Sequence, residues 1–335
     1  MKFSKDVLQI DAPTVINEIG GAIRKQVLET LRRKGAVVGL SGGIDSSVCA
    51  GLCARALGPE KTLAILMPEH DSSGESSRLG RMVAESQGIP FIVEDISPIL
   101  EAAGCYRRQL EAIRMVFPEY DTGWKNKIMI PSILESDRLN VSRLLVRTPS
   151  GEEHVARLPL PAYLQLVAAT NFKQRTRTMM AYYHADRLNY AVCGTPNLLE
   201  YDQGFFVKGG DGAADFKPIA NLFKTQVMAL GKELGIPGEV LSRTPTTDTY
   251  SLPQTQEEFY FALPYDKMDL CLYGRNNNIP AAQVAEAAGL TPEQVERVYN
   301  DIAAKRRSTL PLHLPPLLPQ PVPEISRAIS AASGK

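Results

Sequence analysis

The sequence predicts an α/β fold built on a doubly wound parallel sheet, with a helical C-terminal part. Short apolar runs at residues 36–40, 63–67 and 91–93 have the composition of strands that are buried on both faces of a sheet. Segments with apolar residues at helical spacing separate these runs, as in βαβ units. Strands that alternate with helices in this way indicate a Rossmann-like, three-layer arrangement.

The remaining elements follow from the same periodicities. Helices are predicted at residues 15–33, after the first strand through Val48 and Leu57, and at 74–88, 162–187, 223–234, 265–272, 281–288 and 292–306. A further buried strand is predicted at residues 190–193. The stretch 194–218 is rich in glycine and aspartate and is expected to be loop.

The βα pattern is interrupted at about residues 105–160. Residues 127–131 and 144–147 have strand composition, and the proline and glycine within 147–153 predict a hairpin turn. Residues 310–323 are rich in proline, which does not continue a helix, and we expect them to run over the surface in extended form. We therefore predict one domain over residues 1–310, with an insertion at about 105–160, and a proline-rich tail at 311–335.

Composition excludes several classes of protein. The 335 residues contain 37 Lys+Arg and 37 Asp+Glu, so the formal net charge is zero and binding to nucleic acid through bulk positive charge is not expected. No apolar run approaches the roughly 18 residues of a membrane span, and the N-terminus lacks a signal-peptide core. The five cysteines contain no C-x-x-C pair and are expected to be free, buried thiols. These observations predict a cytoplasmic protein without a membrane partner.

The turn after the first strand, Ser41-Gly42-Gly43-Ile44-Asp45-Ser46-Ser47, has the composition of a phosphate-binding loop. Glycines lack a Cβ, so backbone N–H groups can close around an anion, and the helix that follows adds its own free N–H groups. Asp45 would repel a bare phosphate, and its presence is explained if Mg²⁺ lies between the two. No lysine follows the glycines, so this is not a Walker P-loop. An incidental turn is the alternative, but the position between an apolar strand and a helix favours a phosphate site.

This loop resembles that of the N-type ATP pyrophosphatases, and further segments resemble one family among them. Residues 171–177, 194–200 and 204–215, followed by 222–226, 233–237, 245–248 and 263–266, are similar to NAD synthetase blocks in the same order. The resemblance covers most of the chain except about 105–160 and the tail. It implies the adenine nucleotide alpha hydrolase-like fold. It also implies a ligase that uses ATP and ammonia to convert the carboxylate of deamido-NAD into an amide.

The resemblance also assigns roles to residues. It places Mg²⁺ on Asp45 and Glu200 and makes Asp45, Lys208 and Asp211 catalytic. The implied ATP-binding residues are Gly39, Ser41, Gly42, Gly43, Asp45, Ser46, Ser47, Thr195, Lys224 and Thr246. The implied substrate-binding residues are Asn171, Arg175, Lys208, Asp215 and Lys305.

Some of these residues have structural alternatives. Arg175 could belong to a solvated helix face, Asp215 could cap a turn, and a basic group at Lys305 could balance a helix C-terminus. The chain also departs from the family pattern on the substrate side. Glu69 and His70 stand where relatives often offer an arginine to ATP, and Val167 replaces an aromatic residue.

These departures leave open a ligase that acts on a different carboxylate, or a nucleotide-binding protein without catalysis. Only about 40 residues precede the loop, fewer than a folded glutaminase domain needs. We therefore expect the ammonia to be free or to come from a separate glutaminase. The family resemblance further implies a homodimer.

Overall fold

The structure is a computed structural model that describes residues 3–121, 123–130, 142–244, 250–261 and 263–333. Its strands are β1 (Ala36–Gly39), β2 (Thr62–Leu66), β3 (Phe91–Val93), β4 (Lys125–Met129), β5 (Arg143–Arg147), β6 (Glu153–Arg157) and β7 (Ala191–Cys193). Its α-helices are α1 (Ala12–Arg24), α2 (Ile44–Leu57), α3 (Gly74–Ser86), α4 (Ser97–Ala102), α5 (Cys105–Arg114), α6 (Leu160–Leu188), α7 (Leu198–Gln203), α8 (Lys224–Glu233), α9 (Gly238–Ser242), α10 (Tyr265–Asn276), α11 (Ala281–Ala288), α12 (Pro292–His313) and α13 (Pro323–Ser333).

The central sheet has the strand order β3-β2-β1-β7, and every pair of neighbours is parallel. Val38 of β1 pairs with Ala64 on one side and with Cys193 on the other. Parallel neighbours need a crossover connection, and helices supply these connections here. The parallel sheet predicted from the apolar runs is confirmed.

Helices cover both faces of this sheet. Because side chains alternate along a strand, Val38 and Leu66 point to one face and Val37 and Ile65 to the other. The first pair packs in a core with α1, α2, α3 and α8, whereas the second pair packs against Ala181 and its neighbours on α6. The doubly wound, three-layer arrangement is therefore confirmed.

The interrupted region contains its own antiparallel sheet in the order β4-β5-β6. Arg147 pairs with Glu153 across the predicted hairpin turn, which is confirmed, while residue 131 of the predicted strand lies outside the described residues. Ile128 and Val146 pack with α5 and with the beginning of α6. The sequence indicated only β structure here, and α5 is an addition whose buried face includes Ile113.

The C-terminal helices form a second core with α7, in which Met268, Val284 and Val298 are fully buried. The expectation that residues 194–218 are all loop is wrong, since this stretch contains α7. Asn197 begins that helix: its side chain accepts a hydrogen bond from the backbone N–H of Glu200, and the Glu200 carboxylate accepts one from the Asn197 N–H. This reciprocal capping stabilises even a six-residue helix.

The proline-rich tail differs in part from expectation. Helix α12 continues through Pro311 to His313, because a proline in the last turn removes only one intrahelical hydrogen bond. The Nζ of Lys208 donates to the carbonyls of Pro311 and Leu314 at this helix end. Residues 314–322 are non-helical and exposed, and α13 follows.

Two sequence expectations concern the surroundings of the protein. All five cysteines are buried and free, as expected. Within the described part of the chain, no helix is both long enough and apolar enough to span a bilayer.

Candidate active site

A cavity of about 460 Å³ opens at the carboxyl ends of β1, β2 and β7. Its floor includes Gly39 at the end of β1 and Cys193 at the end of β7, and Asn171, Gln174 and Thr178 of α6 form one wall. The last three residues share one helix face, because residues three or four apart lie above one another. Ligands of open parallel sheets bind at this edge, so the cavity is the candidate active site.

The serine-glycine loop forms the corner of the cavity between β1 and α2. Gly42 has φ +73°, and a Cβ at this position would lie 2.5 Å from the carbonyl oxygen of Ser76, so only glycine fits. The Ser41 hydroxyl accepts from the Gly43 N–H at 3.3 Å and lies 3.1 Å from the Ser46 hydroxyl. The first turn of α2 adds N–H groups that have no intrahelical partner. This arrangement can bind an anion.

Asp45 lies in the first turn of α2 and is held from two sides. The Nδ2 of Asn197 donates to its Oδ1 at 3.0 Å, and the buried Nζ of Lys224 donates to its Oδ2. Asn197 follows β7 and Lys224 begins α8, so the fold brings together residues that are far apart in sequence. The backbone at Lys224 is fixed by Asp269, because the Asp269 carboxylate accepts hydrogen bonds from the N–H groups of Lys224 and Thr225.

Glu200 is the second acidic residue of the cluster and is buried. Its carboxylate accepts from the Asn197 N–H at 3.1 Å and from the Nε2 of Gln256 at 3.0 Å. Burial and the neighbouring charge of Asp45 raise the pKa of Glu200 to about 8, while the charge of Lys224 opposes the rise. Two carboxylates that repel each other in a buried site create a position that favours a cation.

The two carboxylates fit the chemistry of Mg²⁺, which prefers hard oxygen ligands and usually keeps several waters or phosphate oxygens. Among the described residues, no group of three His, Cys, Asp or Glu side chains could hold a metal ion. The protein would therefore supply two oxygen ligands, Asp45 and Glu200, and the remaining ligands would come from a phosphate-bearing molecule and water.

Most of the residues singled out from sequence surround this cavity. Those that line it are Gly39, Ser41, Gly43, Asp45, Ser46, Asn171, Thr195, Glu200, Asp211 and Lys224. Gly42 and Ser47 belong to the same loop, and the buried Ser47 hydroxyl donates to the Gly43 carbonyl at 2.7 Å. Thr246 lies outside the described residues.

Asp211 lies beside the cavity in the segment between α7 and α8. It accepts a hydrogen bond from the backbone N–H of Val207 at 2.8 Å. Its side chain retains contact with solvent, yet the protein atoms packed around the carboxyl raise its pKa through desolvation, and the charge of Arg177 opposes this effect. The carboxylate is therefore placed where it can accept a proton from a molecule in the cavity.

Four predicted substrate residues do not line the cavity. Lys208 is exposed and bonded to the end of α12, and Arg175 donates to the Lys208 carbonyl at 3.3 Å. Asp215 accepts from the Val192 N–H of β7 at 2.7 Å, so its carboxylate ties the segment after α7 to this strand and does not cap a local turn or helix. Lys305 is paired with Asp301 at 2.7 Å and donates to the Tyr260 carbonyl, and its burial lowers the pKa of the ammonium.

Glu69, which stands in the loop after β2 where relatives often have an arginine, has a structural role. Glu69 is buried and pairs with the fully buried Lys173 of α6 at 3.0 Å, and Asp71 contacts the same Nζ at 2.5 Å. Arg177, one turn further along α6, donates to the Met67 carbonyl at 3.3 Å. Two cations on one helix face thus hold this loop, and Glu69 faces Lys173.

Sequence reasoning missed one cation that lines the cavity. The guanidinium of Arg243 lies over the serine-glycine loop, with Nη1 3.4 Å from the Gly42 carbonyl oxygen and Nη2 3.2 Å from the Ser76 hydroxyl. Nothing local marks this residue in the sequence, because its position depends on how α9 packs beside α2. Gln256, which bonds Glu200, was missed for the same reason.

The parallel sheet, the serine-glycine turn at its carboxyl edge and the acidic pair with its lysine define a three-layer α/β protein with an anion-binding cavity. Comparison with known proteins narrows this class. The family model described as NAD synthase matches residues 15–115 and 152–308, which is more than half of the chain. The chain belongs to the NAD synthase family.

Individual relatives agree with this assignment. An NH(3)-dependent NAD(+) synthetase from Mesorhizobium japonicum is 60% identical over 312 residues, which cover 93% of this chain and 98% of the relative. Among solved structures, an NH3-dependent NAD synthetase from Campylobacter jejuni is similar, with a TM-score of 0.61 at 20% identity, over 93% of this chain and 100% of that chain. An NMN synthetase from Francisella tularensis has a TM-score of 0.60 at 22% identity, over 95% and 99% of the two chains. At these identities the two structures show a shared fold.

Proposed function

We propose that this protein is an ammonia-dependent NAD synthetase, a ligase that forms a carbon–nitrogen bond at the expense of ATP. The observation that carries the proposal is the cavity in which an anion-binding loop meets Asp45, Glu200 and Lys224, in a chain of the NAD synthase family. Three relatives that are 56–60% identical to this chain bear the name NH(3)-dependent NAD(+) synthetase.

The reaction has two steps. A carboxylate oxygen of deamido-NAD attacks the α-phosphorus of ATP, and the bond to the β-phosphate breaks, so that pyrophosphate leaves with the electron pair. Ammonia then attacks the acyl carbon of the adenylate, loses a proton, and AMP leaves with the bridging oxygen. Both steps develop negative charge on leaving phosphates, and preorganised donors stabilise such charge.

The residues of the cavity suit the first step. The loop N–H groups and the Ser41 and Ser46 hydroxyls can donate to the leaving pyrophosphate, and Lys224 adds a positive charge. Mg²⁺ bound by Asp45 and Glu200 would neutralise phosphate charge at the same place. Gly39 and Thr195 border the nucleotide, and the predicted contact of Thr246 with ATP stays a prediction.

The second step needs a group that accepts the proton of the attacking ammonia. Asp211 borders the cavity, and its raised pKa brings it closer to neutrality without preventing ionisation at pH 7 to 8. Asn171 on the α6 wall can orient the substrate. Lys208 would act on substrate phosphate only after its Nζ leaves the carbonyls of Pro311 and Leu314, and Arg175 only after its Nε leaves the Lys208 carbonyl.

Asp215 and Lys305 are proposed to act in a more indirect way. Asp215 fixes the end of β7 through the Val192 N–H and also accepts from the Tyr182 hydroxyl at 3.3 Å. Lys305 holds the Tyr260 carbonyl, and Tyr260 lines the cavity. Contacts of this kind shape the substrate wall, and direct binding by either residue remains a prediction.

A homodimer in the cytoplasm, supplied with free ammonia or by a separate glutaminase, completes the proposal. The exposed face of α6 carries Leu160, Leu164, Met179 and Tyr183, which are more than half exposed in the single chain. Apolar groups aligned along one helix face are typical of a contact with another protein surface. The buried free cysteines agree with a reducing compartment.

A second candidate is a ligase of the same family that acts on a smaller carboxylate. The observation in its favour is the substrate wall, where Val167 lines the cavity at a position that is aromatic in some members of the family. Such a wall gives less stacking energy to a nicotinate ring.

The two candidates differ in the preferred acceptor. Purified protein would be incubated with ATP, Mg²⁺, ammonium and either deamido-NAD or the mononucleotide that lacks its adenylyl half. We expect amide product, AMP and pyrophosphate in equal amounts, with kcat/KM at least 10-fold higher for deamido-NAD. A preference for the mononucleotide would replace the first candidate by the second, and absence of AMP with both would contradict both.

A further inference from the structure

The cavity contains a cation that the proposed function has not used. We propose that Arg243 binds the β- and γ-phosphates of ATP and stabilises the pyrophosphate as it leaves. The proposal rests on the proposed adenylation chemistry and adds a residue to it. Arg243 would touch the reacting nucleotide, and so it would be a catalytic residue.

Position is the first argument. Arg243 follows α9 and reaches across the loop between β1 and α2, where Nη1 donates to the Gly42 carbonyl and Nη2 to the Ser76 hydroxyl. Ser76 lies in the first turn of α3, so the guanidinium joins the serine-glycine loop to the beginning of α3, and both border the cavity. An anion cradled by the N–H groups of the loop would lie against this guanidinium.

Charge is the second argument. Lys224 is already paired with Asp45, and Arg177 is committed to the loop after β2 through the Met67 carbonyl and the Ser72 hydroxyl. Arg243 also contacts only neutral groups, but one of them belongs to the serine-glycine loop itself, and none of the described residues places a carboxylate within ion-pair distance of it. The Glu75 carboxylate is paired with Arg78 at 2.6 Å. Its pKa is lowered by Arg78 and, to a smaller extent, by the charge of Arg243.

Chemistry is the third argument. A triphosphate carries about four negative charges, whereas the pair of Lys224 with Asp45 is neutral. A guanidinium has five N–H donors in a planar fork, and it forms charge-assisted hydrogen bonds with phosphate oxygens. The oxygen that bridged the α- and β-phosphorus atoms gains charge when pyrophosphate leaves, and a cation above the loop lowers the barrier to this step. The weak contacts of Arg243, at 3.2 and 3.4 Å, are readily exchanged for such bonds.

The test compares Arg243→Met, Arg243→Lys and a control, Arg107→Met. Arg107 is an exposed arginine of α5 outside the cavity, and it is paired with Glu111 at the surface. Steady-state kinetics would give KM and kcat for ATP and for deamido-NAD, together with the inhibition constant of pyrophosphate. Thermal unfolding would check that each variant is folded.

We expect Arg243→Met to lower kcat/KM for ATP by 100- to 1000-fold and to weaken inhibition by pyrophosphate at least 10-fold, with KM for deamido-NAD within 3-fold of the wild type. The kcat/KM of Arg243→Lys for ATP should be about 10-fold higher than that of Arg243→Met, because lysine restores the positive charge but not the planar set of guanidinium N–H donors. Arg107→Met should stay within 3-fold in every parameter.

Two results would overturn the proposal. One is an Arg243→Met variant whose kcat/KM for ATP and pyrophosphate inhibition both remain within 3-fold of the wild type. The other is an Arg243→Met variant that loses kcat while its inhibition by pyrophosphate is unchanged, which would show that Arg243 only holds the serine-glycine loop against α3. If the wild type fails to turn over deamido-NAD, the proposed function fails separately. In that case the role of Arg243 is decided by calorimetric titration of the wild type and Arg243→Met with MgATP. The proposal requires that Arg243→Met binds MgATP at least 10-fold more weakly than the wild type.

Discussion

The buried carboxyl of Glu200 gives a prediction in which stability and function move in opposite directions. We expect Glu200→Gln to make the protein more stable at alkaline pH and to abolish its activity. The carboxylate is buried beside Asp45, which raises its pKa from 4.5 to about 8. Glutamine keeps the shape of the side chain, and its Oε1 can still accept from the Asn197 N–H or from Gln256, but it carries no charge.

The magnitude follows from the pKa. A carboxyl with a higher pKa in the folded state holds its proton there after the unfolded chain has lost it, so the free energy of unfolding falls as pH rises from about 4.5 and levels off near pH 8. At 1.36 kcal/mol per tenfold change in proton affinity, the ceiling is on the order of 5 kcal/mol. The Lys224 charge and local relaxation reduce what glutamine can recover, and we expect a gain of about 2–4 kcal/mol at pH 9 and less than about 1 kcal/mol at pH 4.5.

The assay is urea unfolding of wild type and Glu200→Gln between pH 4.5 and 9, with EDTA present so that no divalent cation neutralises the cluster. Glu18→Gln is the control, because Glu18 is exposed on α1 and should leave the free energy of unfolding nearly unchanged at every pH. A Glu200→Gln protein that is less stable than wild type at pH 9, or equally stabilised at every pH, would refute the reasoning.

Three further predictions use matched controls. Gly42→Ala should lower the free energy of unfolding by at least about 2 kcal/mol and weaken ATP binding measured by calorimetry, because the new Cβ would meet the Ser76 carbonyl. The control is Gly235→Ala, with φ +69° and no neighbour within 4 Å, which should show only the backbone strain of about 1 kcal/mol and unchanged ATP binding. Asn197→Ala and Thr291→Ala each remove a capping box and should lose at least about 1 kcal/mol in urea unfolding, with the larger loss at the buried Asn197. Only Asn197→Ala should also reduce turnover, because Asn197 holds Asp45, and equal turnover in the two variants would contradict this. Lys173→Met should lower the free energy of unfolding by about 3–5 kcal/mol, because it leaves Glu69 and Asp71 without their shared cation. Lys173→Met combined with Glu69→Leu should recover part of this loss. A Lys173→Met variant whose stability is within about 1 kcal/mol of the wild type would show that the cluster is not buried in solution.

Local patterns made the sheet and the loop predictable. The apolar runs of β1 and β2 and the glycines of the loop carry their signals within a few residues, and the structure agrees with them. The hairpin between β5 and β6 was predictable for the same reason, because its turn contains proline and glycine. Helix α7 had a readable signal as well, since Asn197 and Glu200 have the spacing of a capping box.

Long-range packing made other features inaccessible to sequence reasoning. The position of Lys208 depends on where α12 ends, and that helix passes a proline which would ordinarily mark a stop. Arg243 reaches the loop only because α9 packs beside it. Glu69 could be seen to depart from the family pattern, but its partner Lys173 lies 104 residues away. In each case the deciding contact joins segments that no local pattern connects.

The most direct test of the account follows the carboxylate oxygens of deamido-NAD. Substrate labelled with oxygen-18 in both carboxylate positions would be converted with ATP, Mg²⁺ and ammonium, and the products would be examined by mass spectrometry. Attack of the carboxylate on the α-phosphorus predicts one labelled oxygen in AMP, one in NAD and none in pyrophosphate. AMP without label, or label in pyrophosphate or in inorganic phosphate, would contradict adenylation at the loop between β1 and α2.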